Sequence, residues 1–182
     1  LMALDRHAEA VDYLNRAMAL KDENNDPLSE IFCTATAGIT YMGVDTISTR
    51  AESAFRRACR VAERSGLSNY WLYPQAIGRL ADIYLQQGKY EESISLCREA
   101  IRLCEKSGSY HGKLVVAEIL TEAYRLLGLY DEAFRYCAVG TGEPARAEVD
   151  NNLIGRFFIA KAEIHNNLNR PDSALLVLAQ AD

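Results

Sequence analysis

A small residue followed four positions later by a bulkier one recurs along this chain at Ala10/Leu14, Ala51/Phe55, Ser93/Cys97, Ala133/Cys137 and Ala174/Leu178. The offsets between successive signatures are 41, 42, 40 and 41 residues. One helical turn further on, Ala17, Ala58, Ala100, Gly140 and Ala181 hold a second shared place. A period of this length, repeated through the whole chain, admits few folds. Each period must be one supersecondary unit that buries its apolar faces only by stacking on its neighbours.

A second apolar stripe lies upstream of the later signatures, at Ile77, Leu80, Ala81 and Tyr84 and again at Ala117, Leu120, Thr121 and Tyr124. The spacing i, i+3, i+4, i+7 is one face of a helix. Between the two stripes stand Gly88, Gly128 and Asn169, residue types that end a helix in the left-handed conformation. Such turns are short, so the two helices of each unit are predicted to be antiparallel neighbours. With 4 Pro and 11 Gly in 182 residues, composition also favours helix over strand. The expected fold is all-α, a right-handed superhelical solenoid of antiparallel helix pairs.

Boundaries follow from the stripes and the turn residues. One helix is expected at about residues 3 to 20, then pairs at about 28 to 43 with 48 to 64, 70 to 87 with 90 to 106, 110 to 127 with 131 to 140, and 151 to 168 with 171 to 181. Asp26-Pro27 starts the first pair. Thr141-Gly142-Glu143-Pro144 ends the shorter sixth helix of these pairs, because proline disfavours helix in the residue before it, and this loop is the expected site of mobility. The units run approximately 1-27, 28-69, 70-109, 110-150 and 151-182, in one domain that reads as a fragment of a longer protein.

Ile77-x-x-Leu80-Ala81-x-x-Tyr84, then Ser93-x-x-x-Cys97, then Ala100 resembles the tetratricopeptide repeat, whose pattern is Trp-x-x-Leu-Gly-x-x-Tyr, Ala-x-x-x-Phe and Ala. The next unit repeats it with Ala117, Leu120, Thr121, Tyr124, Ala133, Cys137 and Gly140. The spacing exceeds the family's usual period of about 34 by roughly two helical turns per pair, which resembles the long-repeat variant of bacterial signalling and regulatory proteins. An extra residue between Tyr41 and Ala51, and Lys161 and His165 in the places of Leu and Tyr, predict irregular first and last pairs. The resemblance implies a protein-interaction module that binds a peptide or partner domain, as scaffold or sensor of a regulatory protein. The alternative is the ligand-sensing or oligomerisation half of a transcription regulator whose DNA-binding domain lies elsewhere.

In such repeats the first helix of each pair lines a concave groove. The resemblance and the helical period together nominate Arg79, Asp82 and Gln86, then Glu118, Glu122 and Arg125, then Arg156, Glu163 and Asn166 as peptide-binding residues. Asp82, Glu122 and Glu163 hold the same place in three successive units, an acidic line suited to a basic peptide. The family's clamp for C-terminal carboxylates needs Lys and Asn in this groove, and the acidic residues here exclude it. On the second helices, Arg56, Arg60 and Arg64 recur as Arg98, Arg102 and Lys106, basic stripes that either dock an acidic partner domain or, the preferred reading, keep the surface soluble.

A net charge of −5 gives no positive field for a polyphosphate backbone, so nucleic acid is not an expected direct partner. No apolar run approaches the roughly 18 to 20 residues that span a bilayer, and a cytoplasmic protein without membrane contact is expected. Five cysteines, none in a CxxC pair, read as reduced and mostly buried thiols. His7, His111 and His165 are scattered, with no HExxH, GxSxG, P-loop or GxGxxG. Lys21 to Pro27 is acidic but lacks the glycine and glutamate of a calcium loop. The expectations are therefore no catalysis, no metal and no cofactor, with a protein or peptide, or a second copy of the chain, as partner.

Overall fold

The computed structural model describes residues 9–14, 16–17, 19, 26–44, 49–142 and 151–180. Helices run α1 (Pro27–Val44), α2 (Thr49–Arg64), α3 (Leu72–Gln86), α4 (Tyr90–Ser107), α5 (Tyr110–Leu126), α6 (Tyr130–Thr141), α7 (Asn151–Asn167) and α8 (Pro171–Leu178). Residues 9–14 are helical as well, and no strand occurs among the described residues. The rest of the helix expected at 3 to 20 includes residues outside the described set.

The predicted start and stop chemistry is visible at the ends. Asp26 accepts the backbone N–H groups of Leu28 and Ser29 at 3.2 and 3.1 Å, with Pro27 at the first helical position. Gly88, Gly128 and Asn169 have φ of 75°, 72° and 56°. After each the chain folds back: Lys89 N donates to the carbonyl of Tyr84, Leu129 N to Tyr124 and Arg170 N to His165, each at 2.9 Å. With the partner bonds from Gly88, Gly128 and Asn169, these are Schellman closures that satisfy orphan carbonyls at the end of the first helix of a pair. At the end of α6, Gly142 is extended (φ −73°, ψ 158°). The loop expected to be mobile lies, from Glu143 onward, outside the described residues.

Two compact units are present, residues 1–89 and 90–182. The division falls within the stretch 70–109 that the repeat register treats as one unit. In the first, α2 packs on α1 and α3. Its face Ala51, Phe55, Ala58 and Ala62 is buried, with Ile31 and Ala35 of α1 and Ile77, Leu80 and Ala81 of α3 also buried. The Phe55 ring lies against the backbone of Gly38 in α1.

In the second unit, α5 packs on α4, α6 and α7, and α7 packs on α6 and α8. Leu114 and Ala117 of α5 meet Leu153 and Phe157 of α7 in one cluster. Ile154, Phe158 and Ala162 of α7 meet Ala174 and Val177 of α8 in another. Gly140 of α6 faces the Phe157 ring, as Gly38 faces Phe55. Ala51, Ser93, Ala133 and Ala174, which open four of the five recurring signatures, are buried, and Ala10 is half-buried. Side chains this small let neighbouring helix backbones approach closely, which is why the register carries them at every turn of the array.

The second helix of the last pair, α8, stops at Leu178, with Ala179 and Gln180 in a turn, and Ala181 lies outside the described residues. Lys161 and His165, where the pattern asks for Leu and Tyr, are half-buried.

Candidate functional site

Within the second unit, α5 and α7 are the first helices of successive pairs and lie side by side. Residues three and four apart on a helix share a face, so Glu118 and Glu122 of α5 turn toward Arg156, Ile159, Ala160 and Glu163 of α7. Together they line an open cleft of about 170 Å³. The guanidinium of Arg125 takes Glu122 in a two-bond fork, Nη2 to Oε1 at 2.6 Å and Nε to Oε2 at 2.7 Å. The same Nε is 3.3 Å from Oε2 of Glu163 on the next helix. At the other end Arg156 Nη2 is 2.5 Å from Glu118 Oε1.

The face therefore holds three carboxylates and two guanidiniums, a surplus of one negative charge. Arg125 is mostly sheltered, so its fork is stronger than an exposed pair, whereas Arg156 is largely in solvent. Between the two ion pairs the side chain of Ile159 is 53% exposed. An isoleucine left open on a charged helix face is a contact point that the fold itself does not use.

Of the nine residues nominated from sequence, Glu118, Glu122, Arg125, Arg156 and Glu163 are brought together here. Asn166 is exposed on α7 but does not line the cleft. Arg79, Asp82 and Gln86 belong to α3 in the first unit, where Gln86 Nε2 donates to Asp82 Oδ1 at 3.1 Å. The sequence reading missed Ile159 and Ala160. The signal was present, since Ile159 stands four residues before Glu163 on the same face, but the reading looked only for charge.

The recurring arginines of the second helices have a structural use as well. Arg56 of α2 donates to the hydroxyl of Tyr84 in α3 and pairs with Glu52. Arg98 of α4 donates to the hydroxyl of Tyr124 in α5 at 2.8 Å. Each bond ties a second helix to the first helix that follows it in its own unit. Between α6 and α7 the corresponding residues are Ala138 and His165.

His165 Nδ1 is thus buried with no hydrogen-bond partner among the described residues, and its ring sits 5.0 Å from that of Phe134. Burial first, then the charges of Lys161 and Arg170, push the imidazole below its ordinary value of 6.5. The unfolded chain then binds the proton more readily than the folded one. Stability that is intact above about pH 6.5 should be lost as pH falls through the depressed folded value. His165→Phe should remove this part of the acid sensitivity, measured as denaturant midpoints between neutral and mildly acidic pH. Identical pH slopes for the two chains would show that His165 does not carry it.

Cys59, Cys97, Cys104 and Cys137 are buried and Cys33 is half-buried, all as free thiols. Burial raises Cys104 and Cys137 to about 11, far from the values of reactive thiolates. Among the described residues no group of three or more His, Cys, Asp or Glu could hold a metal ion. No helix among them is long and apolar enough to cross a membrane.

Among the described residues, paired helices recurring at one register, with an open cleft between α5 and α7, are the architecture of a helical-repeat scaffold for protein binding. Residues 73–136 match the family model of the tetratricopeptide repeat. No curated protein matches it in sequence. Among solved structures it is similar to BtubC (BKLC) from P. vanneervenii, with a TM-score of 0.78 and 16% identity over 94% of this chain and 68% of that one. At that identity the likeness is one of fold.

Proposed function

We propose that this chain binds a segment of a partner protein in the cleft between α5 and α7, and that the segment carries a basic side chain beside an apolar one. The observation behind this reading is the exposed Ile159 set between Glu118, Glu122 and Glu163, whose carboxylates outnumber the two arginines facing them. An apolar contact flanked by charge gives affinity at its centre and selectivity at its rim. In this role the chain is the scaffold or sensor part of a bacterial regulatory protein and catalyses no reaction itself.

The test is binding of a short synthetic peptide rich in arginine and leucine, followed by calorimetry across a range of salt. Glu118→Gln with Glu163→Gln should weaken it about tenfold, equivalent to about 1.4 kcal/mol. The affinity of the parent chain should fall as salt rises. Equal affinity for parent and variant would remove the cleft as the site.

A further inference from the structure

Helix α1 carries a second face that the fold leaves open, of opposite character. Leu28, Phe32 and Ile39 are 40%, 55% and 51% exposed. Their spacing, four and then seven residues, places them on one side of the helix. Counted back from the last aromatic place of each first helix (Tyr41, Tyr84, Tyr124 and His165), Ile39 stands where Asp82, Glu122 and Glu163 stand. Phe32 stands where Gln75, Val115 and Arg156 do. The register position that is charged in three pairs is aliphatic in the first.

We propose that this face of α1 docks a single amphipathic helix of a partner protein through its apolar side chains. Two observations select that occupant. The only ionisable carboxylate or basic group of α1 is Glu30, and Arg57 of α2 holds it at 2.8 Å, so nothing on the helix calls for a charged ligand. The three side chains expose on the order of 300 Å², well short of the roughly 800 Å² per partner that a stable dimer covers. A single helix engages such a face through a few apolar anchor residues on one side. The proposal rests on the reading that these repeats hold a protein partner, and it adds the chemistry of a second contact.

The probe is a synthetic helix with leucines at i, i+4 and i+7 on a glutamine and alanine background, against an isomer with the same leucines scattered. The striped peptide should bind and the scattered one should not. Phe32→Ser with Ile39→Ser, both exposed and therefore tolerated by the fold, should weaken binding at least tenfold. Raising salt, or Glu118→Gln with Glu163→Gln, should leave it unchanged. Equal binding of both isomers, or of parent and serine variant, would overturn the proposal. So would sedimentation showing a dimer that the serine variant dissolves, since the face would then belong to a second copy. Loss of the striped-peptide result with the arginine-rich peptide still bound would leave the α5–α7 cleft standing.

Discussion

Gly140→Ala is expected to destabilise the protein by about 2–3 kcal/mol, the upper end of what a single overpacked methyl group costs. Helix propensity argues the other way, because alanine in a helix interior is favoured over glycine by roughly 1 kcal/mol. Packing decides the sign. A Cβ on Gly140 of α6 would run into three carbons of the Phe157 ring, and Phe157 is fully buried beside Leu114, Ala117 and Leu153. The ring has no solvent-facing side toward which to swing. Gly155 of α7 provides the contrast, since a Cβ there meets open space, and Gly155→Ala should be neutral or stabilising by up to about 1 kcal/mol. Denaturant titration of both variants separates the two effects, and a Gly140→Ala chain as stable as its parent would mean that the Phe157 contact is looser than described.

The largest single loss is expected from Phe55→Ala, at about 3–5 kcal/mol. Phe55 is among the largest fully buried side chains, and its ring fills the space that Gly38 leaves on α1, where a Cβ would come within 2.7 Å of Cζ. Removing the ring deletes its transfer energy and leaves a hole that two helix backbones cannot close without sliding. Hydrogen exchange should then accelerate across α1 and α2, the elements whose contact the ring makes. A loss below about 1 kcal/mol would indicate that Gly38 and its neighbours collapse into the space.

Much of this was legible from spacing alone. The helix boundaries follow the turn residues closely because Gly88, Gly128 and Asn169 each do one physical thing, adopting a backbone conformation that other residues resist. The buried places of Ala51, Ser93, Ala133 and Ala174 follow from the register, since only small residues tolerate that approach at every pair. The arginines of α2 and α4 were less legible. Their recurrence looked like a solvated stripe, yet Arg56 and Arg98 reach the hydroxyls of Tyr84 and Tyr124, partners 28 and 26 residues away along the chain. The candidate site divided in the same way. Periodicity along α5 and α7 nominated the charges, but which carboxylate meets which guanidinium depends on how two helices lie across one another. That pairing, and the open Ile159 beside it, needed coordinates.

The fork between Arg125 and Glu122 also sets terms for any visitor. In the free protein each acidic group on this face already has a cation of the chain's own as tenant, so an arriving arginine or lysine must trade places with it. One contact would be given up for another of the same kind, so each exchange would add little net binding energy. Binding energy would then come mainly from whatever covers Ile159, while the exchange of like for like screens out visitors whose charges fall in the wrong places.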